Sequence, residues 1–204
     1  MTGITLEAWA ELDENAPGEL VDGHVVEEEV PSVLHEAVVA WFIRVLSTWA
    51  VRRGGWVLGS RHKLGLAPGL GRKPDVSMYL AGTRLPAKRT TLSRTPPTVV
   101  IEVSSSEPSD VRRDRVDKLG EYAKFGVRWY WLLNPELRVL EILELYVDKH
   151  FAVALLASDG RHPVPGCDGL ALDLDALWAE IDRLPEDEET EESMPCGVEP
   201  TGEF

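Results

Sequence analysis

Apolar positions along the chain follow two rhythms, and each predicts its own kind of element. In residues 31–53, Val33, Leu34, Ala37, Val38, Trp41, Val45 and Trp49 recur at helical spacing and give one broad apolar face. Pro31-Ser32 opens that helix and Gly54-Gly55 stops it. A short helix over 5–12 has Thr5 as its cap, and a third over 109–125 ends at Gly126. Alternating or continuous β-branched runs predict strands over 56–60, 63–66, 74–80, 98–103, 127–133, 138–145, 146–156 and 170–174. Residues 19–26 read as a hairpin turning at Asp22-Gly23, 81–97 as a loop rich in Arg, Thr and Pro, and 174–184 as a closing helix.

Helix, strands, helix, strand in that order predicts an α/β (α+β) domain with a central mixed sheet flanked by helices. A chain of 204 residues can bury a proper core, and one domain over 1–185 is expected. No continuous apolar run approaches the roughly 20 residues of a membrane span, and the N-terminus lacks the layout of a secretory signal. Cys167 and Cys196 are far apart and outside any metal-ligand spacing, which fits a reducing cytoplasm.

Charge changes the picture by its distribution. The formal net charge is −14, which argues against a nucleic-acid partner. Eight acids and no base lie in 186–204, so this segment is expected to be a disordered acidic tail, and the rest of the chain carries only −6. Between Arg52 and Arg94 the balance reverses: ten basic residues face a single acid, Asp75. That stretch reads equally as a phosphate-binding surface and as a solvated, arginine-rich loop.

Asp75 and Glu102 each stand in an apolar, β-branched run of strand character. Burying a lone carboxylate costs several kcal/mol or forces it to take up a proton. Two such acids on neighbouring strands make chemical sense if they share a divalent cation. Asp75 and Glu102, with the Val103 carbonyl, are the candidate ligands for Mg2+ (or Mn2+), which would activate a water against a phosphodiester. Asp110, Asp114 and Lys118 recur every four residues, and Lys118 is the candidate cation beside the reacting phosphate. The same spacing also describes an ordinary surface ion pair and acids at a helix start. Glu19 is placed to reach the metal or to orient a water, unless it is a turn residue. His35 is a candidate for phosphate contact or proton transfer, and Tyr122 and Tyr130 read as aromatics at the core edge.

These residues resemble the PD-(D/E)XK nuclease superfamily, and within it the bacterial Uma-two restriction-endonuclease-like family, formerly a domain of unknown function. The marks are Glu19-Leu20-Val21-Asp22-Gly23, His35, Pro74-Asp75-Val76, the run from Pro97 through Glu102 to Ser105, Asp114, Lys118, Tyr122, Gly126-Val127, Tyr130-Trp131 and Asn134-Pro135. The resemblance implies a restriction-endonuclease-like core with the site at one end of the sheet, and Mg-dependent hydrolysis of DNA. It makes Asp75 the Asp of the motif, Glu102 its (D/E), and Glu19 the acid near the first helix. The superfamily lysine usually stands two residues after the second acid; here that position is Ser104, and Lys118 is its counterpart on the following helix. Asn134-Pro135 departs from the Asp-Pro of the family.

The reading that follows is a metal-dependent endonuclease acting on DNA, with Asp75, Glu102, Lys118 and Glu19 as its site. The alternative is a catalytically inactive nuclease-like module that binds nucleic acid or protein. A homodimer would suit either, since two sites across a two-fold address two strands.

Overall fold

The computed structural model describes residues 3–12, 18–27, 30–104 and 112–185. Asp110 and the acidic segment 186–204 lie outside the described residues. In chain order the first elements are α1 (Leu6–Ala10), β1 (Glu19–Val21), β2 (His24–Val26), α2 (Val33–Ala50) with a 3-10 turn over Val51–Arg53, and β3 (Trp56–Gly59). Then come β4 (Lys63–Ala67), β5 (Leu70–Arg72), β6 (Val76–Tyr79), β7 (Leu92–Ser93) and β8 (Val99–Val103). A π-helical stretch over Arg113–Lys118 runs directly into α3 (Leu119–Phe125). The chain continues with β9 (Trp129–Asn134), β10 (Val139–Leu145), β11 (Phe151–Ala157), β12 (Arg161–Pro163), β13 (Ala171–Asp173) and α4 (Leu174–Ile181).

A six-stranded mixed sheet, in the order β11-β10-β9-β8-β6-β3, is the centre of the molecule. Its neighbours are antiparallel except β8 and β9, which run parallel. A second sheet has the order β2-β1-β5-β4-β7, and β12 pairs with β13 alone. The α/β class with a mixed sheet between helices is therefore what the chain forms.

Side-chain alternation gives the large sheet two different faces. Val99, Ile101 and Val103 of β8, with Trp131 and Leu133 of β9, pack against Val38, Phe42 and Leu46 of α2 and Leu177 and Trp178 of α4. Each such side chain contributes roughly 1.5–3 kcal/mol of transfer free energy. On the other face Val100, Tyr130, Leu132 and Leu143 meet Tyr122 of α3 and Leu64 of the second sheet. α2 and its 3-10 turn (Val33–Arg53) are long and apolar enough, by length and composition, to cross a membrane. Glu36 and Arg44 interrupt it, so it holds no continuous apolar run of that length. The helix spends that character in the core, where Val38, Phe42 and Leu46 are fully buried.

Local signals account for several elements. Thr5, Ser32 and Asp173 each cap a helix by accepting from the N–H three residues on. Asp22 and Gly23 both have positive φ (50° and 77°), as a two-residue hairpin turn requires. Gly23 N–H donates to Gly69 O, tying the hairpin to the β4–β5 turn. The segment 81–97 is not wholly loop: Leu92–Ser93 pairs parallel with Lys63–Leu64. Residues 146–156 divide into a turn and β11. The third helix is α-helical only from Leu119, because Arg113–Lys118 adopts the wider turn.

Candidate functional site

β6 and β8 pair antiparallel with Val76 opposite Ile101, so the residues just beyond that pair, Asp75 and Glu102, come side by side. Both line a cleft of about 880 Å³ at the end of the large sheet, together with His35 of α2 and Asp114 and Lys118 of the π-helical stretch. π-type turns are rare and concentrate at functional sites. This one buries an acid and a lysine from the same short segment.

Glu19, Arg72, Glu102, Asp114 and Lys118 are each at most 3 % exposed. The Lys118 ammonium is the point on which they converge. Its Nζ lies 2.9 Å from Glu102 Oε2, 3.3 Å from Asp114 Oδ1 and 3.8 Å from Glu19 Oε2. The other Glu102 oxygen accepts from Tyr122 OH at 2.7 Å. Glu19 accepts from Arg72 Nη1 at 2.6 Å and from Lys73 N–H at 2.8 Å. Arg72 completes its fork with Glu121, at 2.7 and 2.8 Å. Asp75 stands at the edge of this network: its Oδ2 accepts from Val103 N–H at 2.7 Å and lies 3.3 Å from His35 Nε2.

Acids outnumber cations here, and the protonation equilibria follow. Burial, reinforced by Asp75, Asp114 and Glu19, holds Glu102 well above the usual carboxylate range against the pull of Lys118. Burial likewise raises Asp114. For Glu19 burial also opposes ionisation, but Lys118 and Arg72 outweigh it and its pKa is lowered. Lys118 pays a desolvation cost that Glu102, Glu19 and Asp114 more than offset, so it stays charged.

This geometry corrects the metal assignment. A divalent magnesium or manganese ion needs several oxygen ligands aimed at one point roughly 2.1 Å from each. Among the described residues no three His, Cys, Asp or Glu side chains form a group that could hold a metal ion. The physical reason lies in where the donors point. Glu19, Glu102 and Asp114 are directed at an ammonium already in place, and Asp75 is turned to a backbone amide and an imidazole. Val103, expected to offer its carbonyl, meets Asp75 through its N–H. With no such group among the described residues, Mg2+ (or Mn2+) does not fit as cofactor, and the metal-dependent endonuclease reading is overturned with it.

The structure does bring Asp75, Glu102, Lys118 and Glu19 into one network, with His35 beside it. Two participants carry no site role in the sequence reading. Arg72 is one of ten basic residues in its stretch, and the strand it ends, β5, has no counterpart among the predicted strands. Tyr122 read as a core aromatic, and its hydroxyl is a donor to Glu102. Asn134 accepts from Leu137 N–H at 2.8 Å, so it holds the β9–β10 turn.

Above this acidic floor the cleft wall carries Arg61, Lys63, Lys73 and Arg113. Lys63 Nζ donates to Trp9 O at 3.0 Å and sits 5.2 Å from the Trp9 ring centroid, which fixes its position. His62 also lines the cleft; its Nε2 is 2.9 Å from Tyr79 OH, and burial lowers its pKa.

Comparison with known proteins agrees with this architecture. No curated protein sequence matches the chain. Among solved structures, a crystal structure of a "putative nuclease belonging to DUF820" from Anabaena variabilis superposes with a TM-score of 0.70. It is 17% identical, over 87% of this chain and 99% of that one. The family model described as "Putative restriction endonuclease" matches residues 5–175. With most of its length covered by that model, and with its strands and acids in the order described, the chain belongs to the Uma2 family, of PD-(D/E)XK-like fold.

Proposed function

We propose that this protein is a nuclease-like nucleic-acid-binding module that holds DNA in its cleft without hydrolysing it. The observation that carries the reading is the contrast between floor and wall. The acids that would serve chemistry are closed on Lys118, while Arg61, Lys63, Lys73 and Arg113 border the same cavity. Arg84, Lys88 and Arg89 add exposed positive charge on the adjoining segment, where Thr90 and Thr91 line the cleft. Phosphates contacting the wall would release counterions there, whatever the net charge of the chain. Membership in a family of nuclease-like proteins supports a polynucleotide as the partner, since fold alone does not fix activity. The homodimer belongs to the same proposal, as does a cytoplasmic location.

The test is fluorescence anisotropy with labelled single-stranded and duplex DNA across a salt series, with EDTA or magnesium, followed by gel analysis of the same samples. Binding that weakens steeply with salt, is indifferent to EDTA and leaves the DNA intact is expected. Absence of binding at about 50 mM salt, where phosphate contacts are strongest, would overturn the reading. Metal-dependent products would overturn its non-hydrolysing part.

A further inference from the structure

The cleft has a third surface besides its acidic floor and its basic wall. Leu12, just after α1, Val30 and Pro31, just before α2, and Leu34 in the first turn of α2 all line it. Val30 is 93% exposed and Leu12 38%, so neither belongs to the core. Single apolar side chains scattered over a surface are ordinary. Four brought to one cavity from two separate stretches of chain form an apolar lip. That lip adjoins the wall: Lys63 Nζ donates to Trp9 O and Ala10 O, at 3.0 and 3.4 Å, and Leu12 follows two residues later. An ammonium is therefore held beside the apolar surface, at the C-terminal end of α1.

We infer that the DNA this cleft takes is single-stranded, with bases laid on Leu12, Val30, Pro31 and Leu34 and phosphates on Lys63 and Arg61. This narrows the nucleic-acid-binding reading and rests on it. The wall attracts phosphate, but among the described lining residues acids and cations number five each. Non-specific affinity for a duplex is essentially all electrostatic, and so balanced a lining supplies little of it. A duplex also keeps its bases stacked inside, so it has nothing apolar to set against the lip. An unpaired strand offers both groups. Its phosphate meets the Lys63 ammonium and, one sugar away, the face of a base leaves water on Leu12 and Val30. The cavity, about 880 Å³, has the size of a small-ligand pocket. That suits a short run of unpaired nucleotides and not a double helix, whose major groove alone is about 12 Å wide.

The test is fluorescence anisotropy of the full chain at about 50 mM salt with three labelled probes of equal length. They are a single strand, the same strand made abasic, and its duplex. The single strand is expected to bind roughly tenfold tighter than either of the others. Leu12→Ser/Val30→Ser should close that gap while the circular dichroism spectrum stays the same. The salt slope of single-strand binding should also be unchanged, since the lip carries no charge. Val30→Ser alone, at a side chain almost wholly exposed, should close part of the gap without touching the fold. A duplex bound as tightly as the single strand overturns the inference. So does an abasic strand bound as tightly as the normal one, or a gap that the serine variants leave intact. Those three outcomes leave nucleic-acid binding itself standing, whereas no binding of any probe would sink both readings together.

Discussion

The two faces of the six-stranded sheet solve the same packing problem with opposite chemistry. Toward α2 and α4 the strands present Val99, Ile101, Trp131 and Leu133 to other hydrocarbons. Toward α3 and the second sheet, the same β8 presents Glu102 to Lys118 and Tyr122. The apolar face gains from burial alone and tolerates changes of detail. The ionic face must satisfy every partner, because a buried charge that loses its counterpart costs more than the pair ever contributed. The contrast shows how the fold can hold an array of acids in a cleft and still keep their charge inside.

The sharpest way to break this comparison is to remove one group from each face. Lys118→Ala should cost about 3–5 kcal/mol at pH 7 in urea denaturation, the loss expected for a charge network without its cation. Leu46→Ala, fully buried against the opposite face, should cost about 2–5 kcal/mol. The two losses should differ in pH dependence. Glu102 and Asp114 have folded pKa values above their ordinary 4.5 and 3.8. Their contribution is therefore complete below those ordinary values and is lost as pH rises through the folded ones. Without Lys118 the penalty of ionising them grows, so the deficit of Lys118→Ala should shrink as the pH falls toward 4. The Leu46→Ala deficit should stay level. Equal pH profiles for the two variants would erase the distinction between the faces.

Glu19→Gln probes the opposite sign, at about 1.5–3 kcal/mol for hydrogen bonds to charged donors. Its folded pKa is lowered, so its contribution is present above 4.5 and disappears as pH falls through the folded value. Stability curves of wild type and Glu19→Gln should converge in acid. Tyr122→Phe is smaller, near 1 kcal/mol, the worth of one buried hydrogen bond to a carboxyl whose pKa burial raises. A loss of about 3 kcal/mol would instead mark Glu102 as ionised. Least for stability, and informative for binding, are Lys88→Ala and Arg89→Ala on the exposed segment. Each should change stability by no more than about 0.5 kcal/mol, and each phosphate contact removed should lower the salt slope of DNA binding by about 1.

Much of this architecture is legible in the chain, and the remainder is hidden for physical reasons. The Asp22-Gly23 turn, the broad face of α2 and the strand character around Asp75 and Glu102 all follow from local periodicity and turn chemistry, while the pairing of those two strands is a long-range fact. β7 does not, because two residues carry no period and Leu92–Ser93 becomes a strand only through Lys63–Leu64, far away in sequence. The π-helical turn is equally silent, since Asp114 and Lys118 have the spacing of an ordinary helical ion pair. The hardest distinction concerned the acids themselves. Carboxylates gathered for a divalent ion and carboxylates gathered around an ammonium leave the same residues in the same order. Only the direction in which Glu19, Glu102 and Asp114 point separates the two.

The parallel pair β8–β9 has a consequence in time as well as in space. Val99 meets Trp129 across 30 intervening steps of chain, the run that contains the π-helical stretch and α3. Pairing over such a distance incurs loop-closure entropy before any contact rewards it, so the crossover has to be compact when the strands meet. Lys118 rides on that crossover, and its ion pairs with Glu102 can form only as the two strands come together. We expect it to act during the search for the native state as well as after it. Stopped-flow refolding of Lys118→Ala should be slower than that of wild type, whereas a change confined to its unfolding rate would place the closure of this network after the folding barrier.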